Sequence, residues 1–215
     1  MRAVDRILRR WRIARVAGWV RPGDRLLDVG CYDRSLIDAV ADRIAGAVGI
    51  DSVAEPCESG GVRIERGEFP KDLAAEPGAF DCITALAVLE HVREPDAFAT
   101  ACHRLLSPGG RVVLTVPHPA VDRIVEALIF LRLADGMDFD EHHGFDVADT
   151  GPIFEGVGFR RVAVRPFQLG LNRLFVFEKA GPRAAVSSGP ATRAPLRTAA
   201  SGTSSERSWS PLRIS

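Results

Sequence analysis

The chain has 215 residues, enough to bury a proper core, and its 28 Lys and Arg balance 28 Asp and Glu to a formal net charge of zero. That balance supplies no global field for nucleic acid or an acidic partner, and 46% hydrophobic with 26% charged residues is ordinary for a soluble globular protein. Its four cysteines (Cys31, Cys57, Cys82 and Cys102) form no C-x-x-C pair and lack the His spacing of a metal site, so they read as reduced thiols of a cytoplasmic protein without a metal.

Residues 1–20 carry apolar side chains at helical spacing (Val4, Ile7, Leu8, Trp11, then Val16, Trp19 and Val20), and residues 1–21 hold seven arginines against Asp5 alone. This is an amphipathic cap helix, with two readings: a stripe packed on the domain, or an Arg-rich helix resting on an anionic membrane surface. No apolar h-region accompanies the arginines, which argues against a secretory signal, and no apolar run is long enough to span a membrane. After the turn Arg21-Pro22-Gly23-Asp24, Arg25–Val29 is a short apolar run with an acid near its end, the pattern of a buried parallel strand. It breaks at Gly30-Cys31 into a helix over 34–46, and 47–51 is a second strand ending in Asp51.

A short helix over 52–59 is interrupted by Pro56 and Gly60-Gly61. Val62–Arg66 alternates as a strand, Phe80–Ala85 is another, and Pro95 opens a helix that runs to Leu106 and stops at Ser107-Pro108-Gly109-Gly110. Arg111–Val116 is the next strand. Val121–Ala134 is an apolar helix candidate, followed by a polar stretch to Gly144 and a helix over Asp146–Val157 ended by Gly158. Phe159–Pro166 and Leu174–Lys179 are two closing strands, which the short link between them makes an antiparallel hairpin at one sheet edge. From Gly181 the composition turns to Ser, Ala, Pro, Gly, Thr and Arg, too poor in apolar surface to offset its ordering entropy. The expected organisation is a cap helix at 1–20, a domain at 21–180 and a disordered tail at 181–215.

Alternating strands and helices demand an α/β parallel sheet covered on both faces, and ligands of such sheets bind beyond the carboxyl ends of the strands. Five landmarks lie at or beside those ends: LLDVGC at 26–31, GID at 49–51, GEF at 67–69, FDCITALAVLEHV at 80–92 and LLSPGGRVVLTVP at 105–117. In this order they resemble the class I S-adenosylmethionine (SAM)-dependent methyltransferases, in their small-molecule, methyltransferase type 11-like branch. The resemblance covers roughly 20–179. It implies a Rossmann-like, doubly wound sheet of seven strands, mostly parallel with an antiparallel C-terminal strand.

The resemblance also implies SAM as cofactor and methyl transfer to a small-molecule or lipid- or sugar-linked acceptor. Asp28, Gly30 and Cys31 would then face the methionine part of SAM, and Asp51, with Ser52 beside it, its ribose. Glu68 and Phe69 would flank the adenine, and Ala85 and Leu86 would line the path to the sulfonium. One departure stands out. The family's first loop reads D-x-G-x-G-x-G, whereas here only Gly30 of the three glycines is present, Tyr32 and Arg34 taking the other two places. Either Tyr32 points away and the pocket survives, or cofactor binding is weakened.

In-line methyl transfer needs positioning more than a catalytic group, and a base helps only where the acceptor is a hydroxyl. His142 and His143 in the polar stretch after 134, and His91 after the strand at 80–85, are the candidates, with His118 a further one by topology. Two readings compete with an enzyme of this class. A non-catalytic protein of the same fold would explain the missing glycines. A nicotinamide-dependent oxidoreductase would need G-x-G-x-x-G at 28–34, which is absent. Expected partners are a small or amphiphilic acceptor and, through the first helix, a membrane surface, with no nucleic acid.

Overall fold

In a computed structural model the described residues are 3–117 and 145–181, with side chains from Arg6 onward. The helix expected at 121–134, the histidines His118, His142 and His143, and the stretch 182–215 lie outside them. In chain order the elements are α1 (Ala3–Ala17), β1 (Arg25–Val29), α2 (Ser35–Val40), β2 (Gly46–Asp51), β3 (Cys57–Ser59), β4 (Val62–Arg66), β5 (Phe80–Leu86), α3 (Pro95–Leu105), β6 (Leu106–Pro117), α4 (Thr150–Gly156), β7 (Phe159–Phe167) and β8 (Asn172–Lys179).

The strands form one sheet in the order β3-β4-β2-β1-β5-β6-β8-β7. Strands β4, β2, β1, β5 and β6 are parallel, while β8 runs antiparallel to β6, and β7 to β8. The chain order reverses on either side of β1, so the switch point lies between β1 and β5. The expected mostly parallel α/β sheet is present, with one strand more than the expected seven. The addition is β3, which replaces the helix read over 52–59. Gly60 and Gly61 both take positive φ (59° and 77°), and this two-residue turn folds Cys57–Ser59 back along β4.

Neighbouring residues along each inner strand go to opposite faces, as the two-residue period of a strand requires. Leu27, Ile83, Val112 and Phe175 pack with Phe98 of α3 and Phe154 of α4. Leu26, Cys82, Val113 and Val176 pack with Val16 of α1 and Ile37 of α2. Both faces are covered, which is why the strands read as continuous apolar runs.

At the other end of the sheet, β6 enters through a bulge. Phe80 pairs with Leu106 and Cys82 with Arg111, so Ser107–Gly110 form the excess opposite Asp81. Ser107 Oγ donates to Asp81 Oδ1 at 2.7 Å, and Arg25 Nε donates to Asp81 Oδ2 at 2.9 Å. Burial alone would raise the Asp81 carboxyl, but these donors override it and hold it down at about 2.

Helix α1 lies on the α2 side, and the structure splits the apolar stripe read from its sequence. Val16 and Val20 are buried, whereas Ile7, Leu8 and Trp11 are exposed by 62%, 37% and 40%. The inward side of the helix's first half carries Arg9 and Arg12 instead, both half-buried. Burial lowers the Arg12 guanidinium, and the charge of Glu90 opposes that shift.

Candidate functional site

The loop Gly30–Arg34 leaves the carboxyl end of β1 and meets the end of β2 at Asp51 and the segment after β5 at Val88. Gly30 has φ +72°, and a Cβ there would come within 2.4 Å of Val88 Cγ2, so the position admits glycine alone without a shift of that side chain. Tyr32 and Arg34 take φ +47° and +58°. The backbone thus holds the left-handed conformations at all three places where the motif has glycine, although two of them carry side chains. Tyr32 extends outward, 57% exposed. Tyr32 therefore points away from the body of the protein, the first half of one of the two readings left open by the sequence.

What holds those residues is visible around them. The Tyr32 N–H donates to Asp51 Oδ2 at 3.0 Å, and the Val53 N–H to Asp51 Oδ1 at 2.9 Å. Asp33 Oδ1 accepts from the Ser35 N–H at 3.1 Å and from Ser35 Oγ at 2.6 Å. From α1, the Arg9 guanidinium forms a two-point ion pair with Asp33 and sits 5.1 Å from the centre of the Tyr32 ring. Arg9 was not singled out in the sequence, where it is one of seven arginines within 1–21.

Asp28 ends in a different setting. Its carboxylate is 3% exposed, and Thr84 Oγ1 donates to Oδ1 at 2.6 Å. Desolvation dominates the Thr84 hydrogen bond and pushes the Asp28 carboxyl up to about 7. The two acids at the head of the site therefore differ. Asp28 is buried and titrates near neutrality, whereas Asp51 is half-buried and each of its oxygens retains a lone pair after one backbone hydrogen bond.

The remaining expected residues are spread around this centre. Cys31 sends its thiol into the core against Gly49, where a Cβ would approach Sγ to 2.8 Å, and burial raises it to about 12. Only its backbone is left for the loop. Ser52 is exposed just beyond Asp51. The Gly67 N–H donates to the Asp51 carbonyl at 3.1 Å, which ties the segment before Glu68 and Phe69 to the end of β2. Glu68 is exposed, and the Phe69 ring meets Phe98 edge-on at 5.0 Å. Ala85 is buried on the α3 side of the sheet, and Leu86 packs on the α1 side. His91 is exposed at the end of a 3-10 turn, Leu89–His91, that follows β5. Thr84 and Val88 also shape the site without having been picked out beforehand; a buried threonine inside an apolar strand gives no separate signal. Among the described residues no three His, Cys, Asp or Glu side chains are grouped to hold a metal ion.

A family-wide profile of methyltransferase domains matches residues 2–164. Among individual proteins, the chain is 36% identical over 117 residues to the ubiquinone biosynthesis O-methyltransferase of Pseudomonas aeruginosa, covering 50% of this chain and 49% of that one. It is 27% identical over 187 residues to the protein of the same name from Methylococcus capsulatus, covering 73% and 77%. The chain thus spans about half the length of the Pseudomonas relatives it matches. A solved S-adenosylmethionine-dependent methyltransferase from Mesorhizobium loti superimposes with a TM-score of 0.59 at 17% identity, covering 74% of this chain and 92% of that one. The cyclase SpnF superimposes almost as well, with a TM-score of 0.58 at 15% identity over 79% and 81%. At such identities the likeness is one of fold, and this fold carries more than one chemistry.

Proposed function

Because the chain belongs to the methyltransferase-domain family, we propose that it is a SAM-dependent enzyme that transfers a methyl group to a small-molecule acceptor. The observation that carries this reading is the left-handed backbone at Gly30, Tyr32 and Arg34, kept together with the acid Asp51 beneath it. A fold that had lost its cofactor would gain nothing from holding two side-chain-bearing residues at positive φ, each at a cost of about 1–2 kcal/mol.

The residues present fit SAM. On this reading Asp51 accepts from the ribose hydroxyls through its remaining lone pairs, with Ser52 at the rim. Asp28, with Gly30 and the Cys31 backbone, receives the methionine end, and its carboxylate meets the α-ammonium. Glu68 and Phe69 flank the adenine, and Ala85 and Leu86 lie towards the sulfonium. When bound, SAM supplies an electrophilic methyl group. The protein's part is to align the acceptor with it and exclude water, an effect that can lower such barriers by about 7–11 kcal/mol. Where the acceptor is a hydroxyl, His91, His142 and His143 are the candidates for its proton.

The names of the Pseudomonas and Methylococcus relatives favour oxygen as the acceptor atom. The arginines of α1 favour an amphiphilic acceptor presented at a membrane surface by a cytoplasmic enzyme. No helix among the described residues is long and apolar enough to cross a membrane, so such contact would be peripheral.

Calorimetric titration with SAM and with its demethylated product tests the reading. Micromolar binding that disappears in Asp51→Ala supports it. A folded protein that binds neither ligand would return the chain to a non-catalytic role.

A further inference from the structure

We propose that the outward face of α1 and the turn between β7 and β8 together form one docking surface for an anionic phospholipid bilayer. This deepens the reading above, on which it rests for its purpose: an amphiphilic acceptor would be met where it resides.

Helix geometry places Ile7, Trp11 and Ala14 on one line of α1, spaced by three and four residues, with Arg6 and Arg10 on one flank and Leu8 and Arg15 on the other. That line faces away from the core, so Ile7 and Trp11 are exposed while Val16 is fully buried. Among the described residues no acid forms an ion pair with Arg6, Arg10 or Arg15.

The β7–β8 turn lies against this helix. Gln168 Nε2 donates to the Leu8 carbonyl at 2.7 Å, which pins the turn to the helix, and Asn172 Nδ2 donates to Gln168 Oε1 at 2.6 Å. Beside that pin stands Leu169, 96% exposed and at φ +59°. A leucine here has an unfavourable backbone and no packing to compensate for it, the combination expected where a side chain is kept for something outside the molecule. Between the helix and the hairpin lies a cavity of about 320 Å³, lined by Ala14, Arg15, Gly18, Trp19 and Arg165 among others. The Arg165 guanidinium sits 5.6 Å from the Trp19 ring centre. Apolar tips at the crest and guanidinium groups around them match acyl chains below phosphate headgroups.

Charge decides the occupant. A second copy docking by the same face would set Arg6, Arg10, Arg15 and Arg165 against their own kind across a two-fold axis. An anionic bilayer takes the apolar side chains and the arginines together.

Cosedimentation of the full chain with vesicles tests this. Phosphatidylcholine vesicles are compared with equal mixtures of phosphatidylcholine and phosphatidylglycerol, at low and high salt. Binding to the anionic vesicles alone is expected, weakened by salt. It should fall by about tenfold or more in Ile7→Asp and in Leu169→Asp, each of which replaces an apolar contact with a charge. Leu169→Gly, which relieves the backbone, should also lose binding. SAM affinity of the same variants should stay unchanged, which separates failure of the surface from failure of the cofactor reading. Equal binding to both vesicle types, or wild-type binding by both Asp variants, overturns the proposal. So does a concentration-dependent dimer, abolished by Leu169→Asp, in a protein that ignores vesicles.

Discussion

Arg9 of α1 grips Asp33 through two guanidinium nitrogens across 24 positions of sequence, and the same guanidinium covers the ring of Tyr32. A helix outside the strand-and-loop unit thus braces the loop where that unit has lost its glycines. An ion pair of this exposure is worth at most about 1 kcal/mol and the ring contact about 0.5–1 kcal/mol. Together they set the size of the effect. Arg9→Ala should weaken SAM binding by about tenfold and lower stability by no more than about 2 kcal/mol. Titration calorimetry and denaturant unfolding of the same sample check both numbers. A variant with unaltered SAM affinity would remove Arg9 from the account of the loop.

Tyr32 offers a second test of the loop, through the backbone. Glycine at φ +47° relieves left-handed strain of about 1–2 kcal/mol but adds unfolded-state entropy of comparable size. Tyr32→Gly should therefore change stability by less than about 1 kcal/mol and leave SAM binding in place. Tyr32→Val, β-branched at the same φ, should cost about 1–2 kcal/mol or more. If Val and Gly proved equally stable, positive φ at this position would be the wrong description.

Away from the site, Arg111 and Asp24 form a buried ion pair at the foot of the sheet, 2% and 6% exposed, with Arg111 Nε also donating to the Trp19 carbonyl at 2.6 Å. Desolvation raises the Asp24 carboxyl, while the Arg21 N–H and Arg111 oppose that shift. Arg111→Met strands the carboxylate and should destabilise by about 3–5 kcal/mol near neutral pH. The loss should shrink on acidification, as Asp24 takes a proton. Adding Asp24→Asn should restore most of the stability, and urea unfolding of the two variants across pH reads this directly.

The sheet was legible because its signal is repeated. Each inner strand is an apolar run of the right length, and Gly marks the irregular backbone beside it, Gly78 in the turn before β5 and Gly109 in the bulge of β6, both at positive φ. The loop Gly30–Arg34 was half legible. Its place followed from Asp28, Gly30 and Asp51, but whether Tyr32 could hold a glycine's backbone depended on Arg9 and Asp51, contacts that no local pattern encodes. For α1 the periodicity was visible while its direction was not. Apolar side chains recur on two faces of the helix, and only packing against α2 and the sheet chose Val16 over Ile7 and Trp11. Short β3 escaped because three exposed residues, Cys57–Ser59, have no strand pattern of their own.

Asp28 gives the prediction with the widest reach, since one titration should appear in both stability and binding. Its carboxyl stands at about 7 in the folded protein, against ~3.9 in an unfolded chain. A raised acid binds its proton more tightly when folded, so the native state is favoured below the unfolded value. That advantage is lost as pH climbs from about 4 to about 7. At about 1.36 kcal/mol per unit, the loss over that window is of the order of 3–5 kcal/mol. Asp28→Asn keeps an acceptor for Thr84 Oγ1 and abolishes the titration. It should therefore be the more stable protein at pH 8 and lose its advantage near pH 4. Binding should run the other way. On the proposed reading an ionised Asp28 would pair with the ammonium of SAM and a protonated one would not, so affinity should rise through pH 7 until the ligand's own α-amino group deprotonates, near ~7.7–8.0. Calorimetry in buffers of different ionisation heat should detect proton release on binding near pH 6.5 in the wild type and none in Asp28→Asn. A pH-independent affinity would place the ammonium elsewhere. Asp28 would then need another reason to be an acid.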